Sequence, residues 1–228
     1  MTMKKALPTI MYSLSALVSL GLVIASYYHI APLDMTEVFG FISGGLCVWL
    51  TVKENIWNWP IGIANNVFFI VLFWNSHLYA DMGLQIVYIV LSVLGWYWWL
   101  KGGKGKTELP VSRASVRTLA VLTVLGVVCT YGMMLYLRTI SDTAPFLDAL
   151  TTVMSLIAQY LLTKKYIENW FVWLSADVIY IGLYIYKGLY LTGILYALFF
   201  LMCIAGYRAW KKSMQLTPIE ADLTLRHV

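Results

Sequence analysis

The sequence predicts an all-α polytopic membrane protein, and three observations carry that prediction. Hydrophobic residues make up 61% of the 228-residue chain and charged residues only 12%, with a mean hydropathy of +0.75. Soluble domains hold roughly a quarter charged residues, and a soluble fold of this size cannot bury so much apolar surface. The apolar residues also fall into successive stretches near the length of about 20 residues that a bilayer-crossing helix needs. Finally, Lys and Arg alternate with those stretches instead of forming one patch, which marks membrane topology and not a nucleic-acid footprint despite a net charge of +5.

Eight stretches qualify or nearly do: residues 8–28, 35–52, 59–75, 79–100, 115–138, 145–163, 169–187 and 191–210. The first follows Lys4 and Lys5 and also fits a cleaved leader; with or without it, the other seven keep one orientation. Pro60 and Pro145 stand where a first helical turn tolerates proline. Lys101-Gly102-Gly103-Lys104-Gly105-Lys106 closes the fourth stretch and reads as a flexible charged linker. The tail beyond Lys212 is polar and reads as poorly ordered. If the N-terminus is cytoplasmic and all eight stretches cross, fourteen Lys and Arg residues lie inside and only Arg138 and Lys187 outside, which also places the C-terminus inside.

An internal repeat organises the chain. A shift of 111 residues aligns 36–101 with 147–212 without a gap. Apolar identities mean little in such a sequence. The pairs Lys53/Lys164, Asn58/Asn169, Trp59/Trp170, Tyr79/Tyr190, Gly95/Gly206, Trp99/Trp210 and Lys101/Lys212, all in one register, mean more. Each copy holds three spans, and an odd number would invert the second copy unless one further span, 115–138, intervenes. The expected architecture is therefore a 3+1+3 parallel-repeat bundle of eight helices. Residues 1–34 carry an additional N-terminal helix, 35–101 the first copy, 102–144 a basic linker and linking helix, 145–212 the second copy and 213–228 a cytoplasmic tail. Parallel repeats about an axis along the membrane normal are one established transporter plan, with the substrate site near the midplane between halves.

The polar residues inside the spans are the candidates for function, because each unpaired polar group is costly in hydrocarbon. The stretch Asn58 to Asn66 opens an apolar run and sets Asn65 and Asn66 side by side. In the second copy Trp173, Asp177, Tyr180 and Tyr184 recur at i, i+4, i+7 and i+11 and share one helical face, with Asp177 where the first copy has Asn66. Gln85 and Tyr88 stand one turn apart, opposite Tyr196 and Phe199. An ionised Asp at the centre of a span costs about 2.5–3.5 kcal/mol on insertion scales. Asp177 is therefore either a carboxyl stapling two helices or a counter-charge in the pathway. Asn65, Asn66 and Gln85 either join helices or contact a ligand, and the aromatic stripe either packs or stacks on a flat cationic ring. Trp96, Trp98, Trp99 and Trp210, near the basic ends, read as interface anchors, and Cys47, Cys129 and Cys203 as small buried hydrophobes. The sequence contains no His-Glu-x-x-His, no Gly-x-Ser-x-Gly and no phosphate-cradling glycine loop, so no enzyme or cofactor is implied.

The run Asn58-Trp59, Gly62, Asn65, Leu78-Tyr79-Ala80, Gln85 and Gly95-Trp96-Tyr97-x-Trp99, with Lys165-Tyr166-Ile167-Glu168-Asn169-Trp170-x-x-Trp173 and Lys187-Gly188-Leu189-Tyr190, resembles the PnuC family of bacterial vitamin transporters over about residues 36–212. The resemblance implies a fold like that of the SWEET sugar transporters and a homotrimer in the cytoplasmic membrane. It implies uptake of nicotinamide riboside by facilitated diffusion, with a cytosolic kinase trapping the vitamin. Thiamine and riboflavin transporters belong to the same family. Asp177 departs from the Asn that some of its nicotinamide riboside transporters carry, and it suits the positive ring of either nicotinamide riboside or thiamine. On this reading Asn65, Asn66, Gln85, Tyr88, Trp173, Asp177, Tyr180 and Tyr184 bind a small cationic aromatic vitamin. A thiamine transporter, a proton-coupled transporter with Asp177 as relay, and a membrane scaffold remain as alternatives.

Overall fold

A computed structural model describes residues 28, 35–75, 79–140, 144–186 and 190–225. The expected N-terminal helix therefore lies outside the described residues, as do His29 and His77. Seven α-helices are described: α1 (Met35–Val52), α2 (Asn58–Asn75), α3 (Tyr79–Lys101), α4 (Val116–Thr139), α5 (Pro145–Thr163), α6 (Asn169–Tyr186) and α7 (Tyr190–Leu225), with a 3-10 turn at Lys104–Lys106. By contacts the chain forms two compact units, residues 1–46 and 47–228. In the first, Ser43 of α1 turns its hydroxyl back to the Phe39 carbonyl at 2.6 Å, which spares the span an unpaired hydroxyl. The second unit holds everything described below.

Among the described residues, three helices are long and apolar enough to cross a bilayer by length and composition: Met82–Lys101, Val116–Thr139 and Pro145–Thr163. Shorter apolar helices occupy Val38–Val52, Asn58–Trp74 and Asn169–Leu183. An 18-residue helix such as α2 or α6 spans about 27 Å at 1.5 Å per residue, slightly under the hydrocarbon thickness of about 30 Å. The final helix runs on to Leu225, so the backbone past Lys212 is helical where the polar composition suggested a loose tail.

Helix α5 is the hub, packing against α3, α4 and α6, while α2 packs on α3 and α6 on α7. Its buried residues run all along it, from Ala149 and Val153 through Ser155 and Ala158 to Leu161 and Leu162. Helix α4 differs. Thr130 is its one buried residue, and Val121, Val124, Leu125, Val128 and Leu135 are exposed, the pattern of a helix turned toward lipid. It meets α5 where Gly126 stands against Ile157. Ser115 caps α4 by accepting the Thr118 amide at 3.1 Å, and Pro145 opens α5 at the first turn.

The two copies are matched in detail at the basic end. Helices α1 and α5 each finish in a residue with positive φ, Glu54 (53°) and Lys165 (55°), which stand 111 positions apart. In each case the next amide reaches five residues back, Asn55 to the Leu50 carbonyl and Tyr166 to the Leu161 carbonyl, both at 2.9 Å. These paired bonds satisfy the carbonyls at a helix end and reverse the chain. The following helices then start at Asn58-Trp59 and Asn169-Trp170, all four side chains buried.

Trp99 and Trp210 correct the sequence expectation. Neither is an interface anchor: they are 3% and 0% exposed and lie at the centre of the main core with Trp59, Trp170, Val52, Leu162 and Ile167. Trp59 meets Trp99 edge-on at 5.3 Å and Trp170 meets Trp210 edge-on at 5.3 Å, while Trp99 and Trp210 touch each other at 5.8 Å. Each central indole donates across to the other copy, Trp99 Nε1 to the Leu162 carbonyl at 3.1 Å and Trp210 Nε1 to the Thr51 carbonyl at 2.9 Å. Thr51 and Leu162 are themselves equivalent positions. Glu54 and Lys165 close the arrangement with an ion pair of 2.8 Å, and the Lys165 ammonium lies 4.7 Å from the Trp99 ring centre. Gly95 and Gly206 make room for it, because a Cβ at either would stand 2.2 or 2.4 Å from the facing Trp59 or Trp170 ring.

Past the charged Lys101–Lys106 stretch, the linker continues into a docked segment. Leu109 donates its amide to the Trp99 carbonyl at 3.0 Å, Ser112 exchanges backbone hydrogen bonds with Lys165 and Ile167, and the Ala114 amide is held by Glu168 Oε2 at 2.9 Å. Val111 and Ala114 are buried. Residues 109–114 thus form a strap docked on the turn between α5 and α6. Beside it, the Lys164 ammonium sits 3.2 Å from the Trp98 ring centre, and burial lowers its pKa below the ordinary lysine value.

Candidate functional site

Away from that end, one group of polar side chains in the spans lies on α3, α5, α6 and α7. Tyr88 of α3 is coupled electrostatically to Ser155 of α5 and to Tyr180 of α6. Tyr180 in turn packs its ring on Tyr196 of α7 at 4.7 Å, and Tyr196 meets Phe199 edge-on at 5.8 Å. Tyr88 and Phe199 are equivalent positions of the two copies, so an aromatic group from each copy enters the same set. Ser155 is 7% exposed; a serine in a span commonly bonds its own helix backbone, and here it faces a phenol from another helix.

On α6 the column continues toward the basic end. Asp177, one turn before Tyr180, is 5% exposed. Its Oδ2 accepts a hydrogen bond from the Cys203 thiol of α7 at 3.5 Å, within the range for a weak sulfur donor. Trp173, a further turn back, is half-buried and packs against the tryptophan core. Asp177 and Cys203 correspond to Asn66 and Ser92 in the first copy, where Ser92 is 3% exposed. Both copies therefore place polar groups at the same two heights of their second and third helices.

The connected set includes Tyr88 and Tyr180, with Asp177 and Trp173 on the same helix face below. Asn65 and Asn66 on α2 and Gln85 on α3 are half-buried. The side chain of Tyr184 falls outside the described residues. Along α2, Phe69 and Phe73 stack at 5.7 Å with planes 27° apart, answering Tyr180 and Tyr184 of the other copy. Asn58 and Asn169, a matched pair of the repeat, belong to the tryptophan core: Asn58 Nδ2 donates to the Thr51 hydroxyl at 3.1 Å and Asn169 Nδ2 to the Tyr166 carbonyl at 2.6 Å.

Sequence reasoning missed Ser155 and the thiol of Cys203. Neither had a signal of its own. Serine is common in spans, and Cys203 is an apolar residue among apolar neighbours whose one distinguishing mark is its equivalence to Ser92. What the set offers chemically is aromatic faces from both copies, hydroxyl groups at their edge, and one carboxyl group buried a turn away. Such a lining binds a flat ring by stacking, and a positive ring additionally by cation–π attraction worth about 0.5–2 kcal/mol.

Comparison with known proteins gives one consistent result. The family model described as nicotinamide mononucleotide transporter matches residues 34–212. The nicotinamide riboside transporter PnuC of Escherichia coli is 28% identical over 207 residues, an alignment covering 79% of this chain and 87% of that protein. The riboflavin/roseoflavin transporter RibM of Streptomyces davaonensis is 24% identical over 181 residues, covering 77% and 84%. A crystal structure of the vitamin B3 transporter PnuC superposes with a TM-score of 0.66 at 23% identity, covering 94% of this chain and 93% of that one, and this likeness shows a common fold. These relatives are transporters and not enzymes. The chain belongs to the nicotinamide mononucleotide transporter family, that of the PnuC proteins.

Proposed function

We propose that this protein takes up nicotinamide riboside by facilitated diffusion through the cytoplasmic membrane. The observation that carries the reading is the aromatic set to which both copies contribute, Tyr88 from one and Tyr180 and Tyr196 from the other, with Asp177 one turn below. Its resemblance in sequence to PnuC of Escherichia coli supports the choice of vitamin. In this mechanism Trp173 and Tyr180 stack on the pyridinium ring and Asp177 supplies the opposing charge. Asn65, Asn66, Gln85 and Tyr88 bond the carboxamide and ribose hydroxyls, and Tyr184 extends the aromatic wall.

The two three-helix copies, joined by α4 in a SWEET-like 3+1+3 plan, rock about this site so that it opens to one side at a time. The excess of Lys and Arg at the ends near Lys53 and Lys164 sets that face, and the C-terminus, in the cytoplasm. The protein works as a homotrimer, and a cytosolic kinase that phosphorylates the vitamin makes net uptake one-way. Asp177 in place of an amide favours thiamine as a second reading, since thiamine also carries a positive ring.

Calorimetric titration of the purified protein with nicotinamide riboside, thiamine and riboflavin tests the assignment. Nicotinamide riboside is expected to bind most tightly. Absence of binding by both cationic vitamins would sink it. Uptake into liposomes driven by a pH gradient alone would replace facilitated diffusion by proton coupling.

A further inference from the structure

The tryptophan core and the Glu54–Lys165 pair do more than hold helices together. Every one of their cross-copy contacts joins the first copy to the second. Trp99 donates to Leu162, Trp210 donates to Thr51, Trp99 touches Trp210, and Glu54 meets Lys165. All lie at the end of the bundle where Lys53, Lys101, Lys164, Arg208 and Lys211 collect. On the transport reading given above, a ligand leaving Tyr88 and Tyr180 toward that end would have to pass these residues.

We propose that this set of contacts is the gate on the cytoplasmic side, closed in this conformation, with the Glu54–Lys165 ion pair as its lock. The proposal rests on the alternating-access reading given above and names the residues that must part in it.

Three features fit a contact made to open. The cross-copy bonds are few and polar, and each accepting carbonyl keeps a second donor when the indole leaves: Lys165 N–H remains on Leu162 and Glu54 N–H on Thr51. Parting the copies therefore does not strip either helix end. Asn58 Oδ1, Trp59 Nε1, Asn169 Oδ1 and Trp170 Nε1 are buried without a hydrogen-bond partner. Such groups penalise the closed state and gain partners once water enters, so closure is not so favourable that it becomes permanent. The strap supplies a pivot. Leu109 is bonded to Trp99 of the first copy, and Ser112 and Ala114 to the 165–168 turn of the second. Pro110 and Val111 lie between these two attachments.

The test uses the full-length protein in liposomes with nicotinamide riboside as the probe. Glu54→Cys and Lys165→Cys are introduced together in a Cys47→Ser, Cys129→Ser background and joined with a short, reducible thiol cross-linker. Uptake is expected to fall at least tenfold on cross-linking and to return on reduction, while the proteins carrying only Glu54→Cys or only Lys165→Cys beside the buried Cys203 are indifferent to the reagent. Undiminished uptake by protein shown to be cross-linked overturns the proposal.

Charge reversal gives an independent arm that needs no cysteine. Glu54→Lys alone and Lys165→Glu alone are expected to raise hydrogen exchange at the amides of 51–55 and 162–166 at least tenfold. Both are expected to leave nicotinamide riboside affinity within about threefold, and the double exchange is expected to restore protection. A fixed structural brace predicts instead that each single reversal loses binding and folding together, and that result also overturns it. If the unaltered protein binds no nicotinamide riboside, the substrate assignment falls; if it binds and transports while the gate residues ignore cross-linking, only the gate falls.

Discussion

Gly95→Ala is the sharpest test of how the two copies are packed. An alanine Cβ there would stand 2.2, 2.6 and 2.7 Å from three atoms of the Trp59 ring, and that ring is 2% exposed with Trp99 against its edge. It has nowhere to withdraw. Overpacking of a filled core costs about 1–3 kcal/mol, and with three ring atoms struck the upper figure applies. Alanine returns about 1 kcal/mol through its better helix propensity, which leaves a net loss of about 2 kcal/mol. For a chain of this size that lowers the melting temperature by about 4–8 °C, readable by thermal unfolding of detergent-solubilised protein. Gly206→Ala, facing Trp170 at 2.4 Å, is expected to lose a similar amount. Trp59→Phe shortens the side chain that is struck, so adding it to Gly95→Ala should recover part of the loss, a coupling that a double-mutant cycle measures. A Gly95→Ala protein that melts with the parent, or a pair of glycines that differ by several-fold, would refute the reasoning.

Other expectations follow from single contacts. Trp99→Phe and Trp210→Phe each remove one indole hydrogen bond to a carbonyl that keeps another donor, so in thermal unfolding each should lose about 0.5–1.5 kcal/mol from that bond; a difference above about 1 kcal/mol between them would break the equivalence. Asp177→Asn keeps the shape of the side chain while removing its charge and should weaken nicotinamide riboside binding tenfold or more in calorimetry, about 1.4 kcal/mol, with the fold intact; an unchanged affinity would assign Asp177 to helix packing with Cys203. Glu168→Gln weakens the charge-assisted bond to the Ala114 amide, and exchange of that amide should quicken about tenfold by mass spectrometry, whereas an unchanged rate would leave the strap held by Ser112 alone.

The helices were legible because apolar runs of span length leave few other choices, and the observed bounds of α1 to α6 differ from the sequence reading by no more than a residue at either end. The repeat register was legible from its tryptophans, asparagines and glycines. What those tryptophans do was not. An indole at a membrane surface and one inside a core have the same neighbours in sequence, and only the carbonyls of Thr51 and Leu162, far along the chain, distinguish them. The strap was not legible for a related reason: the partners of Ser112 and Ala114 lie in the turn at 165–168, far along the chain. In the site, Asp177 and Tyr180 stood out because charge and phenol are unexpected in a span. Ser155 did not, since nothing local marks a serine that faces Tyr88 of another helix.

Glu54 and Lys165 occupy the same place in their two copies, yet they carry opposite charge. The reciprocal tryptophan bonds would form equally well if either copy met a duplicate of itself, for Trp99 opposite a second Thr51 is the same geometry repeated. The charges would not. A first copy facing its duplicate sets Glu against Glu, a second copy facing its duplicate sets Lys against Lys, and like charges so placed repel. Expressed as two separate polypeptides, the halves should therefore choose each other over themselves. This difference in charge between two matched positions favours the pairing of unlike copies over like ones.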